Sequence, residues 1–313
     1  MGTQGEVVCG LPLRRAWQAI VIGLGLAAPT TGAFAASDFA VGSRLVITDE
    51  APHEITLPAG RWLLGKSARF CEAELEITGL AALPTVVARA DGHLLLIPIE
   101  TSAALTLTLK ATISNQRARE CDIHVETFTT DGLSAELLER EAALTDSYAR
   151  SGDAEREVRI PLAIDLGKAW ARSSSNQQIG ASRWLIAASN SGRLGRHREV
   201  VELTRRGLDC CGSLSDAWLK GQLLNSMGLA LARTRQSELA RSTLEKASST
   251  LAPEYENKAA NVAQSNLCFL KFRVLKEFEA AETCYSMLLG TARALGDGTG
   301  EVRYLNLLGG TLS

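Results

Sequence analysis

An internal repeat constrains this chain more than any other feature of its sequence. Four related blocks end at the same kind of position, which holds a small residue in three of them: Ala188, Gly228, Phe269 and Gly309. The steps between these positions are 40, 41 and 40 residues. A near-constant step of this length is typical of helix–turn–helix units that stack in a row, because a single unit cannot bury its own apolar face.

A second set of positions follows each of the first three blocks at a fixed distance. Twelve and sixteen residues further on, the chain holds Val200 and Thr204, Ala240 and Leu244, and Ala281 and Tyr285. A small residue lets two helices approach closely, and a large residue fills the gap between neighbours. With Trp184 at the start of the first block, this pattern resembles that of tetratricopeptide repeat proteins, which have a Trp-x-x-Leu-Gly first helix and an Ala-x-x-x-Phe second helix.

The resemblance covers residues 133–313 and implies an all-α solenoid. We expect repeats over about residues 176–212, 214–253 and 255–296, with a partial repeat over residues 299–313. Phe269 departs from the pattern because it stands in a small-residue position, and the step exceeds the usual 34 residues, so helices or loops are longer. For function, the resemblance implies that a protein or peptide partner binds in the concave face.

Long Ala- and Leu-rich repeats of this kind are similar to those of exported bacterial proteins with a C-terminal caspase-like (CHAT) peptidase or signalling domain. Residues 299–313 supply the first helix of a fourth repeat without its second helix, which leaves an apolar face of Leu305, Leu308 and Leu312 open. Either this helix is a cap or the sequence is a fragment of a longer protein. We expect a fragment.

Residues 38–130 have the pattern of β-strands. Between residues 104 and 113, Leu105 and Leu107 alternate with Thr106 and Thr108, which is the period of a half-buried strand. Similar short runs separated by turn formers occupy residues 44–48, 54–57, 61–64, 74–78, 85–89, 93–99 and 121–129. About eight strands predict an antiparallel β-sandwich. The fold class expected is therefore α+β and multidomain, with this sandwich followed by the helical repeats of residues 133–313.

The N-terminus is typical of an export signal. Arg14 and Arg15 precede the apolar run of residues 19–28, and Ala33 and Ala35 form a small-x-small triplet suited to cleavage. The run is about half of the ~20 residues that a bilayer crossing needs. We expect residues 1–35 to be a signal peptide that is cut near Ala35, and the mature protein to be periplasmic or secreted without a membrane span. The alternative is a buried apolar helix.

Composition and motifs exclude several functions. The net charge is −2, and no basic tract is present, so a nucleic-acid partner is not expected. The sequence contains no G-x-S-x-G, H-E-x-x-H or Gly-rich phosphate loop, and we therefore expect neither catalysis nor a cofactor. His53, His93 and His124 are isolated in the sequence, so no metal site is expected. The charged run over residues 136–141 has the composition of a solvated helix face, and Trp170, Trp184 and Trp218 are expected to pack between helices.

Candidate partner-binding residues come from one recurring position of the repeat. Asn225, Asn266 and Asn306 occupy equivalent places three residues before the Gly/Phe/Gly position. A side-chain amide both donates and accepts, so a row of them suits the backbone of an extended peptide. The same face is expected to carry four further residues: Leu229, Arg233, Leu270 and Arg273. The alternative is that these asparagines bond to neighbouring helices or to water.

Cysteines offer two possible disulfides in an exported chain. Cys268 and Cys284 lie 16 residues apart in the two helices of one repeat, nearly opposite each other. The alternative is that they are two small buried apolar residues. Cys71 and Cys121 form a second possible pair in the β part, and Cys210 and Cys211 lie in a loop between repeats.

Three functions are compatible with these features. The first is an exported, soluble scaffold that holds a protein partner. The second is the regulatory or sensor part of a larger enzyme, a caspase-like peptidase or a signalling protein, whose catalytic domain is not in this chain. The third and weakest is binding of carbohydrate or envelope polymer by the β domain, against which the small number of aromatic residues over residues 38–130 argues.

Overall fold

The computed structural model describes residues 37–38, 44–47, 52–69, 72–78, 86–88, 94–114, 122–130, 133–148, 152–172, 177–210, 216–255 and 259–311. The predicted signal peptide, residues 1–35, lies outside them. The described part is mostly helical, with nine α-helices and two small sheets. None of its helices is both long enough and apolar enough for a transmembrane segment.

The β part consists of nine described strands. In chain order they are β1 Ser37–Asp38, β2 Arg44–Ile47, β3 His53–Leu57, β4 Gly60–Arg69, β5 Glu72–Thr78, β6 Val86–Ala88, β7 Leu95–Thr101, β8 Leu105–Ser114 and β9 Asp122–Thr129. One sheet has the order β1-β3-β8-β5-β6 and the other β2-β9-β4-β7. All pairings are antiparallel except that of β1 with β3. Every strand expected from the sequence is present.

Alternation along the strands separates a buried face from an exposed one. Ile55 pairs with Leu107 and both side chains are fully buried, whereas the hydroxyls of Thr56 and Thr106 meet at 3.2 Å on the exposed face. Residues of both sheets, including Val125 of β9, contribute to one apolar cluster. Burial of one face explains why the alternation in the sequence predicts the strands well.

The helical part runs from Ala135 to Thr311. Its helices are α1 Ala135–Ser147, α2 Asp153–Trp170, α3 Gln177–Arg193, α4 His197–Asp209, α5 Ala217–Arg233, α6 Ser237–Tyr255, α7 Ala259–Phe269, α8 Phe278–Leu295 and α9 Gly298–Thr311. A π-helical turn, Leu270–Leu275, continues α7. Side-chain caps begin three of the described helices: Ser134 accepts from the N–H of Leu137, Asp216 from that of Leu219 and Asp297 from that of Gly300.

Successive helices contact one another in chain order, and the repeat positions meet where they do. A Cβ on Gly228 of α5 would lie 2.6 Å from Cγ of Leu244 in α6, so this crossing requires glycine. These are the small and large positions of one predicted repeat. The first helices of successive pairs also touch, α3 with α5 and α5 with α7. Trp170, Trp184 and Trp218 are buried in the apolar clusters.

The apolar core continues from the sheets into the first helices. Leu96 of β7 and Phe128 of β9 belong to the same buried cluster as Leu138 and Trp170 of α1 and α2. The hydroxyl of Thr145 in α1 donates to the backbone oxygen of Leu96 at 2.9 Å. The described β and helical parts are therefore joined by a packed interface.

The expectation of a solvated face over residues 136–141 is wrong for its last member. Glu141 is completely buried, and its carboxylate pairs with the guanidinium of Arg183, which is also completely buried, at 2.6 Å. The carboxylate also accepts from Nε of Arg183 at 2.9 Å and from Nε1 of Trp170 at 2.6 Å. Arg183 donates in addition to the backbone oxygen of Leu94. A buried charge that is paired and hydrogen-bonded in this way links α1, α2 and α3 to the chain entering β7.

Candidate partner-binding surface

The asparagines of the repeat do not all face solvent. Nδ2 of Asn266 on α7 donates to Oδ1 of Asn225 on α5 at 2.8 Å, and Asn225 is 9% exposed. These two amides therefore join neighbouring first helices, which is the alternative that the sequence left open. Asn306 on α9 is exposed. The predicted row of three amides thus leaves one exposed amide and one half-buried one, that of Asn266.

The other predicted surface residues divide in the same way. Leu270 is fully buried in the main core cluster, so its side chain is not part of a surface. Leu229 is half-buried, and Arg233 and Arg273 are exposed. Along α5 the exposure of these residues rises from Asn225 through Leu229 to Arg233 at its C-terminal end.

Two arginines of this face lie over aromatic rings. The guanidinium carbon of Arg233, in the last turn of α5, lies 5.3 Å from the ring centroid of Phe269 on α7. That of Arg273 lies 5.0 Å from the ring centroid of Phe272. Phe272 in turn makes an edge-to-face contact with Phe278, with centroids 5.8 Å apart and planes at 71°. Cation–π contact within about 6 Å is attractive, so the rings fix where the two guanidinium groups lie.

The π-helical turn Leu270–Leu275 builds this arrangement. It ends at Lys276, whose φ of 61° is left-handed, and the N–H of Glu277 reaches back to the oxygen of Lys271 at 2.9 Å. The wider turn carries Phe272 and Arg273 to the point where α8 begins with Phe278. Single π-helical turns in proteins are frequently found at functional sites. The only hint in the sequence is the large Phe269 in a position that elsewhere holds a small residue.

Phe269 has other surroundings than the glycine at the equivalent position of α5. Its side chain is partly exposed under Arg233, whereas the equivalent Gly228 lies directly against α6. Next to Phe269, Cys268 is joined to Cys284 of α8 by a disulfide with a Cα–Cα distance of 5.6 Å, and both residues are buried. A covalent link is therefore present at the helix pair in which the close glycine contact is missing.

The remaining cysteines and metal ligands contribute nothing to this surface. Cys71, Cys121 and Cys211 lie outside the described residues, and the thiol of Cys210 donates to the backbone oxygen of Gly207 at 3.6 Å. Across the described residues, no group of three or more His, Cys, Asp or Glu side chains is placed to hold a metal ion. His53 and His124 lie on β3 and β9, and His93 lies outside the described residues.

Two buried tyrosines lie behind the surface. Burial raises the pKa of Tyr285, and the charges of Arg303 and Arg273 act in the opposite direction. Burial also raises the pKa of Tyr304, whereas the charge of Arg303 and a hydrogen bond with Ser265 act to lower it. Both hydroxyls are therefore protonated at neutral pH, and the two rings belong to the cluster that surrounds the disulfide.

Comparison with known proteins does not assign a function. The sequence matches no model of a known protein family, and no curated protein matches it.

Proposed function

We propose that this protein is an exported scaffold of tetratricopeptide type that binds a protein partner along the first helices of its repeats and catalyses no reaction itself. The observation that carries the proposal is the side-by-side contact of α3 with α5 and of α5 with α7. The bond between Asn225 and Asn266 adds to that contact. Helices arranged in this way offer one continuous surface to an extended partner.

The exposed and half-buried residues of that surface support binding of a polypeptide. Leu229, Arg233, Arg273 and Asn306 combine an apolar group, two cations and an amide. Interfaces between proteins are enriched in arginine and aromatic residues, and both types occur together here. In this proposal the helices continue as a solenoid, and the two sheets form a sandwich around their shared apolar cluster, which supports the solenoid through the contacts of α1 with β7.

Site-specific photocrosslinking tests the proposal. A photoreactive amino acid replaces Leu229 in the full chain, expressed in its native host, and Thr283, which is exposed on α8, provides the matched control position. We expect a crosslinked protein of defined mass at Leu229 and not at Thr283. The same products at both positions, or none at Leu229, would contradict the scaffold function.

Export is tested on the same cells. The mass of the purified protein and its N-terminal sequence show whether the chain begins at or near Ala36, and fractionation shows whether it reaches the envelope or the medium. A chain that keeps residues 1–35 and stays in the cytoplasm would refute the proposed location. The gene sequence beyond codon 313 decides whether the scaffold is the regulatory part of a larger enzyme.

A further inference from the structure

We propose that the surface formed by Arg233, Phe269, Phe272, Arg273 and Phe278, here called the Arg–Phe patch, binds an acidic, extended segment of a partner protein with an apolar residue between two carboxylates. This inference rests on the proposed scaffold function and names the chemistry of its partner.

The two guanidinium groups of the patch are available to a ligand. Among the described residues, Arg206, Arg241 and Arg293 form ion pairs with carboxylates, and Arg233 and Arg273 form none. Glu277, which adjoins Phe278 in the chain, is paired with Arg241. A guanidinium that lies over an aromatic ring keeps the N–H groups at its edge for a planar carboxylate.

The aromatic residues supply the apolar part of the surface. Phe278 is 50% exposed although it is one of the largest side chains of the helical part, and Phe272 holds it by edge-to-face contact. Phe278 belongs to none of the buried apolar clusters of the described residues, so its exposed ring remains available for contact with a ligand. Aromatic and arginine side chains that are held in place are the usual anchors of protein interfaces, because little side-chain entropy is lost on binding.

The spacing of the two arginines sets the spacing of the carboxylates. Arg233 belongs to α5 and Arg273 to the continuation of α7, and these helices are in contact. Axes of packed helices lie about 8–10 Å apart. An extended or polyproline chain covers about 9–10 Å in three residues, so carboxylates at positions i and i+3 match the spacing of the two helices that carry the guanidinium groups. One of the two residues between the carboxylates is then apolar, to contact the phenylalanines.

The proposal is tested with a peptide and its controls by isothermal titration calorimetry on the full chain. The probe has eight residues, is acetylated and amidated, and contains two glutamates three positions apart with a leucine and a proline between them. In one control peptide both glutamates are glutamine, and in the other the leucine is serine. Capping removes the terminal carboxylate, so binding reports on the side chains alone.

Two pairs of substitutions locate the binding. Arg233→Gln with Arg273→Gln removes both cations of the patch, and Arg198→Gln with Arg205→Gln removes two exposed cations of α4 with the same change of net charge. Each lost charge-assisted hydrogen bond lowers affinity about tenfold, so the patch variant binds about 100-fold more weakly. The α4 variant changes affinity less than about twofold. Phe278→Ser weakens binding of the leucine peptide and leaves that of the serine peptide unchanged.

Two results overturn the proposal. One is equal loss of affinity in the patch and α4 variants, which would show non-specific attraction of charge. The other is failure of the glutamate peptide to bind better than the glutamine peptide. If the crosslink at Leu229 persists in either case, the scaffold function stands and the Arg–Phe patch is not its acidic site. If the crosslink is also absent, both proposals fail.

Discussion

Loss of the buried arginine should cost this protein much of its stability. Arg183→Met removes the only cation that pairs with Glu141 among the described residues, and both side chains are completely buried. The substitution keeps an unbranched side chain of similar length but leaves a carboxylate that still accepts a hydrogen bond from Nε1 of Trp170. Removal of one partner of a buried ion pair costs about 3–5 kcal/mol, because the other charge stays buried and unpaired.

An exposed ion pair on α1, the helix that carries Glu141, supplies a matched control. Arg140 pairs with Glu136 at 2.5 Å, one turn away, and its side chain is 46% exposed. Exposed pairs of this spacing contribute about 0.3–0.5 kcal/mol, so Arg140→Met should change stability by less than about 1 kcal/mol. The double variant Glu141→Gln with Arg183→Met removes the unpaired charge and keeps an acceptor for the tryptophan. It should be more stable than Arg183→Met by about 1–3 kcal/mol.

Urea unfolding followed by circular dichroism measures these differences, and thermal unfolding provides a second readout. A domain of this size loses about 2–4 °C in Tm per kcal/mol, so Arg183→Met should lower Tm by about 6–20 °C. Equal stability of the Arg183→Met and Arg140→Met variants would refute the assignment of Glu141 and Arg183 as a buried pair. The assignment would also be refuted if the stability changes of the two single substitutions simply added up in the double variant, since additivity means that the two residues do not interact.

Three further predictions concern the helical part. Gly221→Ala should lower the free energy of unfolding by about 1–3 kcal/mol, because the new Cβ would lie 2.3 Å from a leucine of α6. A Cβ on Gly290 would have no atom within 4 Å, so Gly290→Ala should be neutral or stabilising in the same urea assay. Cys284→Ala opens a disulfide that closes a loop of 16 residues and should cost about 3 kcal/mol, and dithiothreitol should have no further effect on the variant. Tyr285→Phe removes a buried hydroxyl that has no hydrogen-bond partner among the described residues, so stability at neutral pH should stay equal or rise. The pKa of Tyr285 is raised in the folded state, so the contribution of its protonated hydroxyl to folding stability is complete below about pH 10 and is lost as pH rises through the raised pKa. Urea midpoints measured from pH 8 to 11 should therefore fall less in the Tyr285→Phe variant than in the unsubstituted protein.

Local patterns predicted the secondary structure closely. The run expected at residues 104–113 is β8 at Leu105–Ser114, and that expected at residues 121–129 is β9 at Asp122–Thr129. Alternation predicts these strands because one face of each strand is buried, so apolar and polar residues alternate along the sequence. The step of about 40 residues predicted close helix crossings for the same reason, and Gly228 against Leu244 is one of them.

Pairwise polar contacts were not predictable from the same patterns. Glu141 belongs to a run of charged residues, and its burial depends on Arg183, which follows 42 residues later. Nothing in the spacing of the two residues indicates that they meet. Asn225 and Asn266 repeat at one position, which suggested a shared ligand, but their helices lie close enough for one amide to satisfy the other. Periodicity indicates which face a residue occupies, and only the packing of that face decides what it contacts.

Several unusual features lie together in the pair of α7 and α8, although Val200 and Thr204 of α4 also match the repeat only weakly. Phe269 stands in α7 at the position where α5 has Gly228, and a disulfide joins the adjacent Cys268 to Cys284 of α8. The π-helical turn follows directly, and Phe278, which is 50% exposed, begins α8 after it. Natural sequences break local packing rules mainly where function requires it, and the loss is offset nearby. A pair that combines a covalent link, a π-helical turn and an exposed aromatic ring is therefore the place among the described residues where a partner is most strongly expected.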